Sequence, residues 1–209
     1  FAFDAQRIVR EHHGIPGYTG GDDVLAFVPA PNAIACANEL QRAFNTALLP
    51  ALPPDIKHDV CMSAGLSFGY YREPMWELLE LGRAAERAAK QGGRNALAVS
   101  WHSRAGGAHG PTIVMSWKRD PLSTWERWIT WHHEGKIPDG AAYELRELAR
   151  ECRRVPYLSV VLEDEIRRIL LRKQTSGGRL TSDVIDAIIA AFRRETAIRN
   201  GLDEANLAA

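Results

Sequence analysis

Cysteine is scarce in this 209-residue chain, and Cys36, Cys61 and Cys152 stand far apart with no CxxC pair. That spacing argues against a disulfide framework or a cysteine zinc site and fits a reducing cytoplasm. Charge of one sign is lacking too, with 26 basic side chains against 26 acidic ones. A balanced chain does not grip nucleic acid by bulk charge alone. No apolar run approaches the roughly 20 residues that cross a bilayer, and no charged, apolar, small-residue start marks a secretory signal. No membrane partner is therefore expected. What is present, 45% hydrophobic and 25% charged residues, is an ordinary globular composition with length for one large or two small domains.

Phe1, Ala5, Ile8 and Val9 fall at helical spacing, so the reading is a chain that opens inside a helix and belongs to a longer protein. Tyr18 to Val28 follows as a hairpin around Gly20-Gly21, whose glycines supply the positive φ angles of a two-residue turn. The run Val24 to Val28 lacks polar alternation, so both of its faces are expected to be covered. Pro29 and Pro31 stop it, and a helix with Ile34, Ala37, Leu40, Phe44 and Leu48 on one stripe runs to Pro50. A strand is expected over Val60 to Phe68, a helix from Pro74 through Lys90, and strands over Asn95 to Trp101 and Thr112 to Trp117. The Ala105 to Gly110 loop joins the last two. This order predicts an α+β fold, a mostly antiparallel sheet with helices on one face, as in a ferredoxin-like palm missing its first strand.

From Pro121 the texture turns helical, with segments near Ser123 to His133, Gly140 to Arg153, Tyr157 to Lys173 and Thr181 to Asn200, and no convincing strand. The expected organisation is a palm over residues 1–119 and an all-helical domain over residues 120–209.

Gly20-Gly21-Asp22-Asp23 carries the strongest chemical signal. Adjacent carboxylates at a hairpin tip repel one another unless water or a cation offsets their charge. A solvated turn satisfies them in one way; magnesium, a hard ion preferring oxygen ligands and open positions for phosphates, does so in another. Strand alternation sends Asp22 and Asp23 to opposite faces, so both reach one ion only if the turn distorts it. Lys90, in the last turn of its helix, offsets the helix dipole. With Arg94 across Gly92-Gly93, it also stands where cations reach a polyphosphate.

These residues, with the Ser63-Ala64-Gly65-Leu66 strand and the turn from Lys90 to Asn95, resemble a nucleotide-cyclase palm. The likeness is to the second palm of the large subunit of type III CRISPR effector complexes. Phe1 to Gly14 and Val24 to Pro29 resemble that subunit too. Trp125-Glu126-Arg127-Trp128 and Ala141 to Leu145 are similar to the helical domain of its Cmr branch. The resemblance implies ATP as substrate and Mg2+ or Mn2+ held by Asp22 and Asp23 as metal and catalytic residues. Gly20 and Gly21 shape the turn and admit substrate, and Lys90 and Arg94 contact phosphate. The implied activity is cyclic oligoadenylate synthesis when the complex captures target RNA. Other subunits, guide RNA and target RNA are the implied partners, in the cytoplasm. An upstream metal-bearing strand and the first palm are absent from this stretch, so it would be catalytically incomplete alone.

A diguanylate cyclase shares the palm but has Glu-Phe where this chain has Asp23-Val24, and has no comparable helical tail. A palm retained as a scaffold for subunit assembly is the rival from another class. The pairs His12-His13 and His132-His133 occupy adjacent helical positions that face apart, which disfavours metal binding. Trp125, Trp128 and Trp131 form a partial stripe, read as helical-domain core before partner interface. Arg146, Arg150, Arg153 and Arg154 alternate with Glu144, Glu147 and Glu151, a salt-bridged surface before an RNA surface. Ser63 has no nearby base and is not a nucleophile.

Overall fold

The computed structural model describes residues 1–53, 55, 60–102, 112–137, 139–154, 161–172, 174–175 and 178–190. The chain forms two compact units, Phe1–Trp125 and Glu126–Ala209. The Ala105 to Gly110 loop and the end of the last expected helix lie outside the described residues.

In the first unit, α1 (Ala2–Glu11) leads into a hairpin of β1 (Ile15–Gly20) and β2 (Asp23–Phe27). Ala5, Ile8 and Val9 of α1 and Cys36 and Leu40 of α2 (Ala33–Leu48) bury one face of that hairpin, packing on Val24, Ala26 and Val28. The two helices run antiparallel. Asn32 donates to the His12 carbonyl at one end and His12 meets Glu39 at 2.9 Å, while Phe1 packs edge-on against Phe44 at the other.

A second sheet holds β3 (Ala64–Phe68), β4 (Ala96–Trp101) and β5 (Thr112–Ser116) in that order, β3 parallel to β4 and β5 antiparallel to it. The continuous antiparallel sheet expected from the sequence is therefore a hairpin and a separate mixed sheet. The strand-length segment that begins with Val60 is shorter too, since residues 60–63 are not strand. Helices cover both faces of the second sheet, not one. Leu97 and Val99 meet Ala37 and Ile34 of α2, and Ala96 and Ala98, pointing the other way by strand alternation, meet Ala85 and Ala89 of α3 (Met75–Gln91). The physical reason is the parallel β3–α3–β4 step, which carries its helix across to the face that α2 leaves open. The seam with α3 is built from small residues. A methyl on Gly65 would stand 2.2 Å from the Glu86 backbone nitrogen and 2.7 Å from the Gly82 carbonyl oxygen.

Asp120 ends the first unit's sheet region. It adopts φ 50° after a short 3-10 turn, and its carboxylate accepts the Ser123 backbone N–H at 3.3 Å as α4 (Pro121–His133) starts. In the second unit, α5 (Asp139–Arg154) and α6 (Leu162–Arg172) pack with helical residues 182–190. Their core joins Ala141, Leu145, Ile166, Ile169, Leu170, Ile185 and Ile188, with Trp128 and Trp131 against it. A minimal pairing of β6 (Gln174–Thr175) with β7 (Gly178–Arg179) interrupts the otherwise helical tail. Trp128 and Trp131 meet edge-to-face at 5.4 Å, whereas Trp125 packs into the first unit's core beside Leu97 and Trp117. The stripe is thus core material divided between two cores.

Candidate functional site

The hairpin tip is built by register. Gly20 pairs with Asp23, leaving Gly21 and Asp22 as the two turn residues. Gly21 takes φ 63°, while Asp22 is not left-handed, the pattern of a type II′ turn with glycine first. Only one of the two glycines therefore serves the turn by its φ. The other leaves room for a neighbour, because a methyl on Gly20 would stand 2.1 Å from the Tyr18 hydroxyl oxygen and push that exposed ring aside. That contact is invisible in a linear motif. Its one signal is the spacing of Tyr18 two residues before Gly20, which puts both on one face of a strand.

Asp22 and Asp23 are exposed at this tip. Neither carboxylate makes a hydrogen bond or ion pair with another described residue. Their four carboxylate oxygens are the donor type that magnesium or manganese takes, with most of the coordination sphere left to water and phosphate. In that respect the residues present fit such an ion. They are two ligands only: among the described residues no group of three or more His, Cys, Asp or Glu side chains could hold a metal. His12 is engaged with Glu39, and the His132 and His133 rings meet at 6.4 Å.

Only one face of Val24 to Val28 is covered. Val24 and Ala26 pack on α1 and α2, but Leu25 and Phe27 on the other face are 39% and 36% exposed, because none of the described elements of this unit crosses it. Gln6 of α1 donates to the Thr19 hydroxyl at 2.7 Å, tying the covered face of β1 to the helix close to the tip.

Lys90 and Arg94 lie in the second sheet's territory. The Lys90 ammonium pairs with Glu86 at 2.6 Å, one helical turn back. Arg94 is exposed and has no ion-pair partner among the described residues. It belongs to three successive left-handed residues, Gly93, Arg94 and Asn95 at φ 104°, 59° and 45°, a conformation that side-chain-bearing residues rarely adopt. The turn is held by the Asn95 carbonyl, which accepts from the Trp117 backbone N–H and the Ser116 hydroxyl. The Trp117 indole in turn donates to the Met62 carbonyl just before β3. Met62 also touches the core under the hairpin, and α2 returns the chain to the Phe1 and Phe44 end before β3 begins. The acidic turn and the cationic turn therefore lie at the same end of the first unit, on different sheets. No hydrogen bond or ion pair joins them among the described residues.

The arginine-rich helices of the second unit are salt-bridged at several points. Arg168 pairs with Glu165 at 2.6 Å, and Arg167 and Arg172 pair with Asp186 and Glu144. Arg150, Arg153 and Arg154 have side chains outside the described set. Cys36 is buried in the core under the hairpin, and burial, with the Glu39 charge second, pushes its thiol up to about 11. That makes it a packing residue and not a nucleophile. Among the described residues no helix is long and apolar enough to cross a membrane.

Residues 1–98 match the family model described as the Cas10/Cmr2 second palm domain. The CRISPR system Cmr subunit Cmr2 of Pyrococcus furiosus is 30% identical over 113 residues, covering 51% of this chain. The chain spans only 12% of that relative's length. The matched segment lies inside the first compact unit and contains the hairpin, α2, β3 and α3 in the order just described. Through residues 1–98 the chain is thus similar to the second palm domain of the Cas10/Cmr2 large subunits.

Proposed function

We propose that this palm takes part in metal-dependent nucleotidyl transfer, joining ATP units into cyclic oligoadenylate and releasing pyrophosphate when its complex binds target RNA. The observation that carries the reading is the exposed Asp22–Asp23 pair, its carboxylates without partners among the described residues, on a glycine-shaped turn in a stretch that matches the Cas10/Cmr2 second palm domain. Asp22 and Asp23 would hold Mg2+ or Mn2+, while Gly21 sets the turn's path. When bound, such an ion neutralises charge at the α-phosphate and lowers the pKa of an attacking hydroxyl. Arg94 offers a guanidinium to the phosphates from the same end of the unit. Lys90 can join it by releasing Glu86, since an exposed pair of this kind is worth only about 0–1 kcal/mol.

A two-metal arrangement needs a further carboxylate, and the sheet has a place for one. The edges of β2 and β3 that do not face β1 and β4 have no partner among the described strands. Both strands lie under α2. An acidic strand from elsewhere in a longer protein, inserted between those edges, would complete both the sheet and the ligand set. The remaining partners in this reading are the other subunits of the complex with its guide and target RNA, in the cytoplasm. The domain division follows the expectation above, with residues 120–209 as a helical docking domain. The rival is a palm that serves assembly alone.

The test uses the assembled complex containing full-length protein, supplied with target RNA, magnesium and ATP. The double variant Asp22→Ala plus Asp23→Ala should abolish oligoadenylate while leaving assembly intact. Undiminished product from that variant removes these residues from the mechanism, and no product from the native complex favours the scaffold.

A further inference from the structure

The open face of the β1–β2 hairpin is an apolar strip that runs into the acidic turn. Cross-strand partners share a face, so Ile15 with Phe27, Tyr18 with Leu25, and Gly20 with Asp23 form three successive rungs. Ile15 is 70% and Tyr18 59% exposed. The register slips between Pro16 and Tyr18. Without that bulge, alternation from Ile15 would place Gly17 and Thr19 on the open face and turn Tyr18 towards α1. With it, Tyr18 and Gly20 are open and Thr19 faces α1, where Gln6 reaches it. A bulge beside a functional turn that re-aims one side chain is a recurrent device.

Tyr18 then lies forward along the strand over Gly20, its hydroxyl the atom closest to where a Gly20 side chain would start. The hydroxyl has no hydrogen-bond partner among the described residues. It stands one rung's width from Asp23, and a side chain larger than hydrogen at position 20 would displace it. Successive strand residues rise about 3.4 Å, so Leu25 and Phe27 lie about 7 and 14 Å along the strip from Asp23. The strip therefore presents a carboxylate end suited to a metal-held phosphate, a phenol next to it, and apolar surface beyond, spaced like the parts of one nucleotide.

Resting on the nucleotidyl-transfer reading above, we infer that Tyr18 is a substrate-contacting residue. Its hydroxyl donates to a phosphate oxygen held at the turn, and its ring, continued by Leu25, Phe27 and Ile15, carries the ribose and base.

The experiment measures binding to the assembled complex of two probes in manganese, the α,β-methylene analogue of ATP and inorganic tripolyphosphate. Tyr18→Phe keeps the ring and removes one neutral donor, so it should weaken both probes about three- to tenfold. Phe27→Ser should weaken the ATP analogue and leave tripolyphosphate unchanged. If Tyr18→Phe binds both probes like the native protein while Asp22→Ala plus Asp23→Ala loses both, the strip is not a substrate contact and the metal site stands without it. Impaired assembly with unaltered affinity for both probes assigns the strip to a partner protein and overturns the inference. If native protein binds neither probe, the nucleotide reading itself fails and takes this inference with it.

Discussion

Asp120 shows how one side chain can set where a fold changes character. Its carboxyl is held below the ordinary 3.8, first by the Ser123 hydroxyl and then by the Ser123 backbone N–H. A depressed carboxyl contributes stability that is present above its unfolded value and lost as pH falls through its folded one. Asp120→Ala should therefore cost about 1 kcal/mol at pH 7, the usual worth of such a helix cap. The difference from the native protein should begin to close as pH falls below 3.8 and be lost through the lower folded value, where Asp120 itself takes up a proton. Urea unfolding at neutral and acidic pH reads this directly, and a pH-independent difference would show that the contact is not ionic. At this scale the sequence is half legible. The pairing of Asp22 with Asp23 stands out because two like charges at a hairpin tip need an explanation. Tyr18 does not, because which face it shares with Gly20 is set by a bulge between Pro16 and Tyr18. The engagement of Lys90 with Glu86 follows from i,i+4 spacing, whereas Arg94 has Lys90 four residues before it and no carboxylate to pair with there.

Elements were readable wherever hydrophobic period decided them. The stripe of Ile34, Ala37, Leu40 and Phe44 became the buried face of α2, with Leu40 and Phe44 7% and 6% exposed. The two-sided covering expected for Val24 to Val28 was not found, because an apolar run records that side chains tolerate burial and not that a partner exists. Which face α3 would take was also hidden, since it depends on β3 and β4 being parallel, a long-range pairing. Gly65 marks the cost of that arrangement. A methyl there collides with the α3 backbone and not with a movable side chain. Gly65→Ala should therefore destabilise the palm by about 1–3 kcal/mol, as overpacked cores do, with spectroscopic change confined to α3 and its sheet. A variant as stable as the native protein would mean that α3 rides further from β3 than described.

For the whole molecule, the likeness of residues 1–98 to a palm domain and the unpaired sheet edges point the same way. Residues 1–98 match a palm domain, and β2 and β3 have free edges with no strand between them among the described residues. A palm reading drawn from motif order therefore anticipated the fold class, while the division of the sheet into two parts needed coordinates. The central claim is that the bend at Gly21–Asp22 seats divalent ions against a nucleoside triphosphate. Its most direct test is anomalous scattering from manganese in crystals of the full-length subunit grown with the α,β-methylene analogue of ATP. The account predicts a manganese peak about 2.1 Å from a carboxylate oxygen of Asp22 or Asp23, shared with phosphate oxygens. An analogue well ordered elsewhere, with no manganese at that bend, would contradict it.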